Sequence, residues 1–142
     1  MKSAIISVSM AIGVSLSVQA ASLDSAAQKQ ATAIITATGF RSGLVVHVGC
    51  GNGHLTAALR GNDQTLVQGL DADHAKVGKA REYLHSLDLY GPVSVQCWQE
   101  PFLPYVDDTV NLLVADRGAE FAEAEILRVL APRGVAYIKR GG

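Results

Sequence analysis

Apolar positions along this chain follow two alternating rhythms. Short apolar runs bounded by Gly, Pro, Asn or Asp predict buried strands at Leu44 to Val48, Thr65 to Leu70, Val93 to Cys97, Val110 to Ala115 and Val135 to Lys139. Between them, apolar residues recur at three- and four-residue steps, the spacing of a helix face. Ser25 to Thr38 is one such helix, with Ala27, Ala31, Ile34 and Ile35 on a face, Ser22 or Asp24 as cap and Gly39 as stop. His54 to Arg60 is a second, ended by Gly61 and Asn62. Asp73 caps a third, which runs to about Leu87 and turns Val77, Ala80, Leu84 and Leu87 toward the sheet. The fourth is expected over Glu120 to Leu130, with Phe121, Ala124, Leu127 and Leu130 buried, until Pro132 and Gly134 break it. Strands alternating with helices imply a parallel sheet covered on both faces, and right-handed crossovers leave few topologies.

Composition then narrows the picture. A length of 142 residues argues for one domain, and 49% apolar against 18% charged residues supports a packed core. Net charge is −1, without a basic run, so neither nucleic acid nor an anionic membrane is implied as partner. The first residues, MKSAIISVSMAIGVSLSVQAA, have the layout of a secretory signal peptide. Lys2 forms the positive end, Ala4 to Val18 the apolar run, and Val18 and Ala20 the small residues before a cut after Ala20. An uncleaved anchor, which would be the only membrane contact, and a helix belonging to the fold are the alternatives. The favoured reading is an exported protein, periplasmic or secreted, with residues 1–20 as signal and 21–142 as the domain.

The candidate chemistry lies in LVVHVGCGNGHLTAAL, where a strand turns into a helix through Gly49, Gly51 and Gly53. Such a turn lets the backbone approach a ligand closely. The dinucleotide pattern G-x-G-x-x-G would need a glycine where His54 stands, and no Gly-Lys-Ser/Thr is present for a phosphate loop. Asp71 follows about 20 residues on, at a strand end, where a carboxylate can accept from a ribose diol.

With LVVHVGCGNGHL, GLDAD, LPYVDDTVNLLVAD and EILRVLAPRGVAYI in this order, the chain resembles class I S-adenosylmethionine-dependent methyltransferases over about residues 40–139. The resemblance implies a Rossmann-like three-layer sandwich of strand order 3-2-1-4-5, truncated so that the last two strands of that fold are missing. It places S-adenosylmethionine beyond the strand ends. The cofactor positions it implies are His47, Gly49, Cys50, Gly51, Asn52, Gly53, Asp71, Ala72, Trp98, Gln99, Glu100 and Asp116. In that scheme the glycines pass beneath the methionine and ribose, and Asp71 holds the ribose hydroxyls. The signal, the first helix and DLYGPVSVQCW are also similar to exported bacterial proteins in which a methyltransferase-like section precedes a quinoprotein-type β-propeller.

Several positions depart from the pattern. The family carries an acid two residues before the first glycine to help hold the cofactor's ammonium; here that residue is His47. A neutral imidazole supplies no counter-charge and a protonated one repels the ammonium. The missing charge-assisted hydrogen bond is worth roughly 1.5–3 kcal/mol. Gln99 occupies the position of an adenine-binding Asp, with Glu100 next door as substitute, and Asn111 replaces a common strand Asp. Trp98 is expected to flank the adenine or to pack its own loop. Asp116 is the best-placed base by topology, against a plainer role as cap of the following helix, and no catalytic residue is assigned. Asn-Pro-Pro-Tyr is missing there, which leaves amino methylation of nucleobases unsupported.

His54, His74 and His85 have no metal spacing with Cys50 or Cys97, and no metal is expected. In the implied order, β-strand ends one and three lie roughly 9–10 Å apart, beyond the ~7 Å that a disulfide bridges. Cys50 and Cys97 are therefore expected to be free. An apolar VAYI strand at a bare edge would invite aggregation, so the fold is expected to continue. Two functions follow: a methyltransferase acting on a small-molecule or protein acceptor, or a non-catalytic folding or interaction module heading a larger exported β-propeller protein.

Overall fold

The computed structural model describes residues 21–116 and 121–139. The expected signal segment, and the start of the fourth helix expected at Glu120, lie outside the described residues. In chain order the elements are α1 (Ser25–Thr38), β1 (Gly43–Val48), α2 (His54–Ala58), β2 (Thr65–Asp71), α3 (His74–Ser86), β3 (Val93–Cys97), β4 (Val110–Ala115), α4 (Glu123–Val129) and β5 (Leu130–Ile138). All strand pairs are parallel, in the order β3-β2-β1-β4-β5.

Alternation along the strands divides the core in two. Val45, Val67, Val95, Leu112 and Val114 face α1, α2 and α3, where Ala31, Ile34, Leu59, Val77, Ala80 and Leu84 meet them. Val46, Val48, Leu70, Leu113 and Ala115 face the other way, toward Ile126 and Val129 of α4 and Leu103 of the loop after β3. β1 and β4 are thus buried on both faces, the reason each reads as a near-continuous apolar run.

Local chemistry sets the ends. The Asp24 carboxylate accepts from Ala27 N–H to cap α1, and Gly39 closes the helix in the left-handed region. Asp73 caps α3 through the N–H groups of Ala75 and Lys76. Asn111 extends the sheet from its side chain, accepting the Leu44 N–H at 2.9 Å. Its amide fills the place where a side chain on Gly43 would sit, so its role is structural.

Two expectations fail in the last third of the chain. In α4 the buried residues are Ile126 and Val129, whereas Leu127 is 61% exposed and Ala124 is exposed. A helix of two turns satisfies more than one apolar spacing, and the sheet selects the pair three residues apart. Phe121 and Leu130 flank the helix, half-buried against the same core. β5 begins at Leu130, straight after α4, because Pro132 and Gly134 sit in an irregular stretch of an edge strand rather than ending a helix. At Gly134 the carbonyls of Ala131 and Val110 lie 2.8 Å from where a Cβ would stand, so no larger residue fits.

Candidate functional site

β1 ends beside β4 at the C-terminal edge of the sheet, where the strand order switches direction. That is the crevice in which open α/β sheets bind ligands. The chain leaves β1 through Gly49, Gly51 and Gly53, all at positive φ, before α2 starts. The N–H groups of Gly49 and Cys50 both return to the Leu70 carbonyl, so the loop is pinned to β2. A cleft of about 350 Å³ opens against this loop. His47, Gly49, Cys50, Gly51, Asn52 and Asp116 border it, together with Asp24, Ala27 and Gln30 of the α1 side and His54 of α2.

The three glycines do different work. No atom lies within 4 Å of a Cβ built on Gly51, so open space lies over the middle of the loop. On Gly53 a Cβ would stand 3.0 Å from that of Ala80, so this glycine permits close packing of α2 on α3. Gly49 makes the turn out of β1 with φ at 77°. Cys50 turns its side chain inward against Gly69 and Val95. Burial, then the nearby Asp71 charge, push its thiol up to about 12, so it stays protonated and inert. Cys50 and Cys97 are both free, as the strand order requires.

Asp71 stands where the sequence places it. One oxygen accepts the Gly51 N–H at 3.0 Å, and the other accepts the Asp73 N–H at 2.9 Å. Each oxygen keeps a second lone pair, so a pair of hydroxyls can still bind. Beyond it, the Ala72 carbonyl accepts the Gln99 amide N–H at 3.0 Å, leaving the Gln99 oxygen without a partner among the described residues. Trp98 joins this side through its backbone N–H to the Asp71 carbonyl, and its indole N–H donates to the Phe102 carbonyl. Its ring meets Phe102 edge-on at 5.6 Å. The packing role of Trp98 is therefore present; Glu100 is simply exposed.

The opposite end is built differently. His47 is 1% exposed, with Nδ1 2.8 Å from the Thr56 hydroxyl and Nε2 3.1 Å from Asp116 Oδ2. Lys139 Nζ lies 3.0 Å from the other Asp116 oxygen, as an ion pair out of line for a hydrogen bond. Burial opposes the charge of Asp116, but His47 and Lys139 outweigh it and hold the carboxyl below its usual range. Asp116 does not cap α4, whose N-cap is Ala122. Neither ring nitrogen of His47 is left over for a ligand.

Three polar cleft residues lie outside the cofactor positions implied by the sequence: Asp24, Gln30 and His54. His54 stacks on Tyr83 at 4.1 Å, an arrangement that no local pattern announces. His85 stacks on Tyr90. No cluster of three or more metal-ligating side chains occurs among the described residues, and no helix there is long and apolar enough to cross a membrane.

No curated protein matches the chain. Among solved structures, a protein assigned as an S-adenosyl-L-methionine-dependent methyltransferase from Methanococcus maripaludis superposes with a TM-score of 0.70 at 24% identity, over 78% of this chain and 53% of that one. The cyclase SpnF gives 0.68 at 24% identity, over 78% and 43%. A SAM-dependent methyltransferase from Aquifex aeolicus gives 0.64 at 23%, over 78% and 64%. The chain thus spans between two fifths and two thirds of the length of these neighbours. At such identities they show a shared fold, and a cyclase among them illustrates that this fold is not tied to one reaction. A profile of the methyltransferase domain matches residues 46–138, from β1 through β5. The chain belongs to the class I methyltransferase-domain family.

Proposed function

We propose that this domain binds S-adenosylmethionine across the β1–α2 loop and presents its methyl group to an acceptor, a small molecule or a protein, at the C-terminal edge of the sheet. The observation that carries this reading is the joining of Asp71 to Gly51 beside open space: a carboxylate for sugar hydroxyls, fixed to a backbone bare enough to lie under them. The cleft bordered by Gly49, Asn52 and Asp116 is then the place of the methionine part. The adenine lies toward Ala72, Trp98 and Gln99, where the Gln99 oxygen accepts from its amine. When bound, the sulfonium supplies an electrophilic methyl group. The chain's own contribution is orientation of that group for in-line attack, which needs no fixed base. Asp116, held ionised and shared by His47 and Lys139, is a poor proton acceptor and has no such role.

Calorimetry on the full chain tests this with S-adenosylmethionine and S-adenosylhomocysteine. Binding of both is expected, weakened about 100-fold in Asp71→Ala, the equivalent of two charge-assisted hydrogen bonds. Absence of heat at millimolar ligand from folded protein overturns the reading.

A second reading is supported by the inward engagement of His47 and by the signal-like first residues. In it, the domain is exported and acts as a folding or interaction module, at the head of a longer protein with a β-propeller. An exported domain meets little S-adenosylmethionine, so binding and export together separate the two. Residues 1–25 fused to a reporter active only outside the cytoplasm are expected to give activity; a silent fusion ends the export proposal.

A further inference from the structure

Two carboxylates border the cleft beside the glycine loop, and their surroundings differ. Asp116 already has His47 at 3.1 Å and Lys139 at 3.0 Å, so its charge is matched from within the protein. Asp24 has much less. Its Oδ2 accepts the Ala27 N–H at 3.1 Å and lies 3.9 Å from His54 Nδ1, while Oδ1 has no partner among the described residues. The side chain is 43% exposed, at the rim of the cleft. Tyr83 fixes the segment that carries it, its hydroxyl lying 3.4 Å from the Asp24 backbone N–H and its ring lying against His54.

Position 47 needs a substitute for its missing acid, because both nitrogens of His47 are engaged and its nearest carboxylate is balanced by Lys139. We infer that Asp24 is the counter-charge for the α-ammonium of the bound cofactor, a role transferred from β1 to the start of α1. This rests on the cleft being the S-adenosylmethionine site. The cap position adds a reason. The first turn of α1 presents the positive end of the helix to the cleft, which would repel an ammonium were it not for a carboxylate in front of it. Asp24 is thus a binding residue that also caps its helix, and the two roles are separable by chemistry. Asn and Ser cap a helix about as well as Asp but carry no charge.

The test compares three ligands on the full chain and on Asp24→Asn, with Asp24→Ser as the second variant. S-adenosylmethionine carries a sulfonium and an ammonium, S-adenosylhomocysteine the ammonium alone, and 5′-methylthioadenosine neither. Asp24→Asn is expected to weaken the first two equally, by about 5- to 10-fold for a half-exposed ion pair, and to leave 5′-methylthioadenosine unchanged. The thermal midpoint stays where it was. Loss for S-adenosylmethionine alone puts the carboxylate at the sulfonium and overturns the assignment. Equal loss for all three ligands means that the loop has moved, and no loss for any means that Asp24 is only a cap; either result overturns it. A wild-type chain that binds none of the three overturns the site itself, and the assignment with it.

Discussion

The two ends of the glycine loop are held by different means. At the β2 end, Asp71 grips the loop through the Gly51 N–H, accepts the Asp73 N–H at the start of α3 with its other oxygen, and retains lone pairs for a ligand. At the β1 end, His47 sits under the loop, bonded to Thr56 on α2 and Asp116 after β4, with nothing left to offer. One end is a prepared acceptor and the other is a strut between a strand, a helix and a loop. The position where the resemblance implies an acid facing a ligand serves the interior here.

The largest effects are expected where that division is attacked directly. Asp71→Ala should cost about 100-fold in affinity for all adenosyl ligands, 5′-methylthioadenosine included, with a smaller loss of stability. His47→Ala should do the opposite. It leaves a buried Thr56 hydroxyl and one side of Asp116 unpaired, at a cost of about 2 kcal/mol in urea unfolding, while 5′-methylthioadenosine binds as before. His47→Glu, which restores the family's acid, should be worse still near neutral pH. Two carboxylates would then stand about 3 Å apart, a repulsion on the order of 5 kcal/mol at an effective dielectric of about 20. A stable His47→Glu protein with tighter S-adenosylmethionine binding would sink the comparison.

This division also explains what could be read from the chain. Strands β3 and β4 and helix α1 match their expected bounds because their signals are local: an apolar run, or a stripe between an Asp cap and a Gly stop. The glycine loop and Asp71 are similarly legible, since a strand, a turn and a strand end follow each other within one βαβ unit. His47 to Asp116 spans 69 residues, and Asp24 reaches the cleft only because α1 folds back over α2. Nothing in residue order marks such contacts. The α4 stripe failed for a related reason, because a seven-residue helix leaves the choice of buried face to tertiary packing.

Within the loop itself, Gly51 and Gly53 offer a finer version of the same contrast. Both have positive φ, at 55° and 83°, so an alanine at either is strained by about 1 kcal/mol. Gly53→Ala adds a clash with Ala80 and should lose about 2 kcal/mol of stability in total. Gly51→Ala meets nothing in the protein and should lose only the conformational part. Its methyl group instead projects into the space assigned to the cofactor, so affinity should fall more than stability. Equal stability losses at both positions, with affinity untouched, would show that the loop faces no ligand at all.

The smallest expected effect concerns the loop after β3, which carries Trp98 and Gln99. Arg128 of α4 latches this loop through Asp107 and the carbonyls of Leu103 and Tyr105, and Glu125 orients the guanidinium while accepting the Leu103 N–H. The Arg128 hydrogen bond, then the Leu103 N–H, lower the Glu125 carboxyl from 4.5 to about 2. A depressed carboxyl contributes stability that is complete above its unfolded value and is lost as pH falls through its folded value. Unfolding midpoints should therefore decline between about pH 4.5 and 2, and Glu125→Gln should flatten that part of the profile. Asp116 is lowered as well, by His47 and Lys139 against the effect of burial, so some acid sensitivity persists in the variant. His47→Ala removes one of those two supports and should flatten the remaining slope. The acid profile thus separates the latch on the loop after β3 from the strut at the end of β1, and an unchanged slope in both variants would mean that neither carboxylate is tied as these distances imply.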